Sequence, residues 1–226
     1  MTPASDRTPP RVPPLSRETV AEAALRLLNE TGLDKLTLRA IATELNVKAP
    51  ALYWHFRNKQ ELIDEMATEM YRRMTAAPQP LTDGASPPTW RDRVMAACVG
   101  LRRALLAYRD GARVFSGSRF TGTEHAEHTE VHLRALLDAG FDLPQAVRTF
   151  STAFAYTLGF VSEEQGVQPM PGERREGYDV TERGERLAAY PVAAAAGPHI
   201  FEDYDAHFEE GLHLILDGVS ARYGIR

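Results

Sequence analysis

The side chains with most chemical content lie between positions 37 and 59, where the chain reads Thr-Leu-Arg-Ala-Ile-Ala-Thr-Glu-Leu-Asn-Val-Lys-Ala-Pro-Ala-Leu-Tyr-Trp-His-Phe-Arg-Asn-Lys. Arg39 is a forked donor suited to a guanine edge, Lys48, Arg57 and Lys59 are cations, and Tyr53, Trp54 and His55 carry apolar bodies with polar tips. Together they suit a polyanion whose base edges must also be touched.

Positioning them requires two short helices. Leu38, Ile41, Ala42 and Leu45 form one apolar stripe at helical spacing, and Leu52 and Phe56 form the next. Asn46-Val47 supplies the turn, because Asn tolerates a left-handed backbone and Val47 can plug the gap between helices. At 100° per residue Ala49, Leu52 and Phe56 face inward, Pro50, Ala51 and Trp54 face outward, and Tyr53 and His55 flank them. Tyr53 and Trp54 alone would read equally well as core aromatics. Beside three cations they favour a helix-turn-helix that sets its second helix in a major groove.

The stretch from Leu15-Ser-Arg-Glu to Glu65, with Leu28-Asn-Glu-Thr-Gly32, Leu52-Tyr-Trp-His-Phe56 and Asn58-Lys59, resembles the DNA-binding domain of TetR-family repressors, most closely their tetracycline-repressor branch. Leu101–Arg113 and Tyr156-Thr-Leu-Gly159 resemble the regulatory domain of the same branch more weakly. The resemblance implies an all-α fold: an N-terminal helix-turn-helix DNA-binding domain followed by a C-terminal helical ligand-binding and dimerisation domain.

Length and composition agree. The 226 residues are 43% hydrophobic, ample for a packed core, and no apolar run or N-terminal leader pattern points to a membrane or to export, so a cytoplasmic protein is expected. One cysteine, Cys98, excludes an internal disulfide and reads as a small core residue. Net charge is −5, yet residues 1–60 hold nine Lys/Arg against six Asp/Glu, leaving 17 against 25 for the rest. A basic head on an acidic body turns the head toward a polyanion.

Residues 1–14, with five prolines, are expected to be a disordered arm, 15–75 the DNA-binding domain and 76–226 the ligand-binding and dimerisation domain. Arg7 and Arg11 read either as a solvated tail or as minor-groove contacts. Ser16 caps the first helix, which ends at Gly32, and a capping box from Asn58 to Glu61 opens the fourth, leaving N–H groups there that could hold a phosphate. After a Pro-rich loop from Ala76 to Thr89, helices are expected near Trp90–Tyr108, Gly111–Ser116, Thr123–Ala139, Leu143–Glu164, Glu182–Ala194 and His199–Tyr223, with Gln165–Val180 mobile.

By the family pattern Arg39 reaches a guanine, a phosphate being its alternative, and Pro50 and Tyr53 meet thymine methyls. Thr37, Trp54, His55 and Lys59 match phosphate or sugar contacts; Lys48 joins them by charge and location. Ala49 and Ala51 stand where the branch carries Gln and Thr, and Leu38 replaces another Thr, so the operator should differ.

Val147, Phe150, Phe154, Leu158 and Val161 line one late helix, and Phe201, Tyr204, Phe208, Leu212, Ile215 and Val219 another. They read either as packing within the body or as a four-helix homodimer interface, the second being favoured because two half-sites need two heads.

A pocket for a small hydrophobic effector, polycyclic or otherwise, is expected among Leu101, Leu105, Val114, Phe115, Phe150, Phe154 and Tyr156. Tetracycline enters its repressor as a magnesium chelate held by a His, but this chain has Phe115 at that place, with Thr75, Ala97 and Leu101 at three further anchoring positions; Arg119 and Glu163 remain. No cofactor is expected, and the effector should bind without metal.

His125, His128 and His132 share a helical face and read as solvated or pocket-lining groups, with metal chelation the alternative. No Gly-rich phosphate loop, nucleophile elbow or redox pair supports an enzyme. The expected function is a ligand-released repressor binding a palindromic double-stranded DNA operator as a homodimer; a DNA-binding activator or ligand-independent regulator is the alternative.

Overall fold

The structure, a computed structural model, describes residues 15–76 and 87–225. Among the described residues there are twelve helices and no strand: α1 (Arg17–Thr31), α2 (Leu38–Glu44), α3 (Ala49–Tyr53), α4 (Lys59–Ala76), α5 (Trp90–Leu106), α6 (Gly111–Phe115), α7 (Glu124–Asp138), α8 (Leu143–Val167), α9 (Val180–Arg186), α10 (Pro191–Ala195), α11 (Gly197–Phe201) and α12 (Tyr204–Tyr223). The expected arm at 1–14, including Arg7 and Arg11, and most of the expected loop after α4 lie outside the described residues.

Local chemistry sets the helix ends. Ser16 accepts from the Thr19 amide at the start of α1, and Gly32 closes it at φ 77°, a left-handed value that costs glycine little. Thr37 accepts from the Ala40 amide to open α2, and Asn46 takes φ 52° in the turn to α3. Asp142 and Gln145 form the expected capping box of α8. At α4, Asn58 accepts from the Glu61 amide, while Glu61 reaches back to the Arg57 amide.

Two cores result. The first joins Val20, Leu28, Ile41, Leu52 and Met66 of α1–α4, with Phe56 of the turn after α3, to Leu101, Leu105, Val114 and Val161 of α5, α6 and α8. Apolar packing therefore runs without a break from the head into the body. The second gathers Trp90, Leu136, Phe141, Ala153, Phe208 and Leu212 from α5, α7, α8, α12 and the turn after α7. Between α5, α8 and α12, Arg102 makes a two-pronged ion pair with buried Glu164 at 2.8 and 2.9 Å, bonds Asp205 at 2.6 Å and lies over the Phe208 ring.

Three expected elements need correction. The helix expected over Glu182–Ala194 is broken into α9 and α10, because Pro191 has no N–H to carry the ladder onward and instead opens a new helix. The one expected over His199–Tyr223 is broken at Asp203, whose φ of 50° ends α11 while its carboxylate caps α12. Helix α8 runs to Val167 rather than stopping at Glu164. Buried Gln165 explains the extension, since its amide accepts from Ala112 N at 3.1 Å and donates to Tyr108 O at 2.7 Å.

Candidate functional site

Helices α2 and α3 each bury one side and expose the other. Leu52 and Phe56 are wholly buried, whereas Tyr53 is 54% exposed and Trp54 90%. Burying Leu52 and Phe56 while projecting Tyr53 and Trp54 from the same short segment leaves large apolar groups in water, which a globular core does not require. Helix α3 ends at Tyr53, so Trp54 and His55 stand in the turn beyond it. Arg39, Lys48 and Pro50 are exposed on the same two elements and Ala51 is half-buried. Thr37 uses an oxygen lone pair to cap α2, leaving its hydroxyl proton for a phosphate.

Two expected contacts are less free than their sequence positions imply. Lys59 donates to the Leu33 carbonyl at 2.7 Å, and Ala49 packs against the head core. The phosphate site expected at the start of α4 is also reduced, because Asn58 and Glu61 occupy that end.

Behind the head lies a cavity of about 420 Å³ between α4, α5, α7 and α8. Thr75, Ala97, Leu101, Phe150 and Phe154 line it, as expected. Phe115 stands beside it, 6.3 Å from the Phe154 ring and 5.3 Å from Phe120, and packs as an aromatic wall.

Five other expected pocket residues lie elsewhere. Leu105 and Val114 are consumed by the head-to-body core, both fully buried. Tyr156 is turned the other way, stacked on Phe208 and donating to its carbonyl at 3.3 Å. Arg119 belongs to the strap of residues 116–123, which runs back along α4, with the Arg119 amide on Asp64 and the Thr121 amide on Thr68. Glu163 is exposed on α8 and outside the cavity lining.

Sequence reasoning missed Tyr71, Met74, Arg93 and Phe120 as wall residues. The signal for two of them was present, since Tyr71 and Met74 continue the α4 stripe of Met66 and Met70 at helical spacing. Arg93 and Phe120 had none, because their placement depends on how α5 and the strap cross α7.

His125, His128 and His132 all reach the cavity. Each leans on an aromatic ring: His125 on Phe120 at 5.3 Å, His128 edge-on to Tyr71 at 5.8 Å, and His132 stacked on Phe150 at 5.1 Å. Burial lowers the His132 pKa below the ordinary imidazole value, and neighbouring His128 and Arg93 lower it further. Burial raises the Tyr71 pKa.

Two polar bridges join body and head. Buried Glu65 on α4 takes Arg17 Nε at 2.8 Å on one oxygen and Arg72 Nη1 at 3.6 Å on the other. Arg72 in turn reaches Glu124, the first residue of α7, at 3.2 Å. Arg17 also donates to the His55 carbonyl and lies 4.4 Å over the Phe56 ring, so this bridge ends under α3. The second bridge is shorter. Asp110 accepts from the Leu33 amide at 2.9 Å, while Arg113 holds both Asp110 at 3.0 Å and Asp34 at 2.8 Å.

Of the α8 and α12 residues expected at a dimer interface, Val161, Phe208 and Leu212 are wholly buried within the subunit and have no surface left for a partner. Phe150 and Phe154 are committed to the cavity wall. Leu158, Tyr204, Ile215, Val219 and, on α11, Phe201 are half-buried, and Val147 is exposed. The outer face of these helices carries Leu143, Val147 and Leu214, the last 66% exposed.

The bacterial regulatory protein, tetR family, pattern matches residues 20–66, and the tetracyclin repressor-like C-terminal domain matches 83–223. The chain belongs to the TetR family. This regulator is 41% identical over 209 residues, 92% of each chain, to the tetracycline repressor protein class A from transposon 1721 of Escherichia coli. It is similar at a TM-score of 0.77 and 35% identity to the crystal structure of a possible TetR family transcriptional regulator from Streptomyces coelicolor A3(2), covering 91% of this chain and 99% of that one. It is also similar, at 0.59 and 30%, to BioQ crystallised with its double-stranded DNA operator, covering 92% and 99%.

The chain is similar, at a TM-score of 0.63 and 35% identity, to TetR(class A) crystallised in complex with 5a,6-anhydrotetracycline and magnesium, covering 90% of this chain and 96% of that one. In this chain the cavity lining contains no carboxylate, and Phe115 beside it offers only hydrocarbon. Hard Mg²⁺ seeks oxygen ligands, so these residues do not fit the ion. Among the described residues no helix is long and apolar enough to cross a membrane.

Proposed function

We propose that this regulator is a repressor that binds a palindromic operator as a homodimer and is released when a metal-free organic effector fills the cavity. Residues 15–75 form the DNA-binding unit and 76–226 the effector-binding and dimerisation unit. Arg39, Pro50 and Tyr53 face bases, with Arg39 on a guanine; Thr37, Lys48, Trp54, His55 and Lys59 hold phosphate or sugar. The outward faces of α8 and α12 meet their copies in the partner. This sets the two α3 helices about 34–36 Å apart, one turn of the duplex.

The observation that carries the reading is α4. Its first turns supply Leu62 and Met66 to the head core, and its last turns supply Tyr71, Met74 and Thr75 to the cavity wall. A ligand pressing on that end moves the other only if it binds the released arrangement more tightly than the DNA-bound one. The Glu124–Arg72–Glu65–Arg17 bridge offers a second link from α7 to α3.

The test is protection of an inverted repeat beside the gene by purified protein. Arg39→Ala is expected to lose about 1–3 kcal/mol of discrimination between the repeat and random DNA. Lys59→Ala should weaken both alike and flatten the salt slope by about one. A strictly monomeric protein, or equal loss on specific and random DNA for both variants, overturns the proposal.

A further inference from the structure

The cavity walls differ sharply in charge from the rest of the molecule. The body as a whole is acidic, yet no Asp or Glu lines the cavity. Its ionisable groups are Arg93 and Cys98 from α5, Tyr71 from α4 and the three histidines of α7. Among the described residues Arg93 forms no ion pair, although other arginines of the body, such as Arg91, Arg102, Arg109 and Arg113, find a carboxylate. The acidic residues of α7 turn elsewhere, Glu124 to Arg72 and Glu130 to Arg134.

A half-buried guanidinium facing an apolar hollow is costly unless an anion shares the space. His125 adds a second unmet demand, for its Nδ1 is buried without a partner. Beside these groups stand the aromatic rings of Phe120, Phe150 and Phe154, with His125 against the first and His132 stacked on the second, so planar hydrocarbon walls the hollow.

We infer that the effector is an aromatic organic acid whose rings lie against Phe120, Phe150 and Phe154 and whose anionic group is held by Arg93 with help from the α7 histidines. The inference rests on the cavity being the effector site. A guanidinium pairs with a carboxylate or sulfonate through two parallel N–H donors, one to each of two oxygens, which a neutral ring compound cannot match.

Two fluorescent probes with the same rings test it on the full chain: 8-anilinonaphthalene-1-sulfonate and its uncharged counterpart N-phenyl-1-naphthylamine. The sulfonate is expected to bind roughly tenfold or more tightly than the neutral probe. Arg93→Met should erase that preference while leaving the neutral probe within about twofold, and Arg93→Lys should restore part of it. Ala97→Trp, which fills the hollow, should abolish both signals and so assigns them to this cavity. If the neutral probe binds as well as the sulfonate, or the sulfonate is indifferent to Arg93→Met, the acid class is wrong while the cavity remains an effector site. If neither probe binds and no ring compound releases operator DNA, the effector cavity itself is wrong.

Discussion

The head and the cavity treat their aromatic residues in opposite ways. In the head, Phe56 is sealed into a close-packed core while Trp54, two residues earlier, is left 90% in water. In the cavity, Phe120, Phe150 and Phe154 are neither sealed nor free, but wall a hollow of about 420 Å³. A surface built for a large rigid polymer needs rigid backing and projecting tips. A receptor for a small molecule needs space left unfilled, which forfeits dispersion contacts that a filled core would have. Helix α4 runs through both regions, so the well-packed end can register what happens at the hollow one.

The contrast can be broken most severely from the packed side. Phe56→Ala removes a fully buried ring beneath α3 and is expected to cost about 3–5 kcal/mol, read as a fall in the denaturation midpoint with loss of DNA binding. A change below about 1 kcal/mol would mean that the head is as loosely packed as the cavity.

Next comes the bridge between the regions. Glu65→Gln leaves Arg17 and Arg72 without their shared carboxylate. Breaking a wholly buried pair costs about 3–5 kcal/mol, but both arginines are about a third exposed, so about 1–2 kcal/mol is expected. The sharper readout is operator release, which should need more effector or fail outright if the bridge couples cavity to α3.

Trp54→Ala separates folding from recognition. Stability should stay within about 0.5 kcal/mol because the ring touches mostly water, while operator affinity falls. Equal loss in both would place Trp54 in the fold rather than at the DNA.

The smallest effect concerns Cys98, in the cavity wall. Burial pushes its thiol up to about 11, against an ordinary value of 9.0. A raised pKa keeps the thiol protonated, so at pH 8 its thiolate fraction should be about a hundredfold below that of an ordinary cysteine. Labelling by a disulfide reagent should be correspondingly slow until the protein is unfolded; rapid labelling would show the wall to be open.

Much of the head was legible in residue order because its signals are local. Ser16, Thr37 and Asn58 act within three residues, Gly32 and Asn46 through their own φ, and Leu52 and Phe56 through one turn of helix. The body was legible in its helices but not in its pocket. Leu105, Val114 and Tyr156 are as apolar as true wall residues, and only the packing of α5, α6 and α8 turned them away from the hollow. Likewise Val161, Phe208 and Leu212 look like interface residues on a helical wheel until their own subunit is seen to cover them.

Short-range chemistry in the chain therefore determined the all-α class, the capped helices, the turn at Asn46 and the outward Tyr53-Trp54 pair, since each depends on neighbours within a few residues. Tertiary structure alone decided that Glu65 joins Arg17 to Arg72, that the strap carries Arg119 to the head, and that Arg93 shares a hollow with three histidines. Those groups are brought together by helices crossing in space. The angle and register of a crossing come from many side chains packing at once, and no local pattern records them.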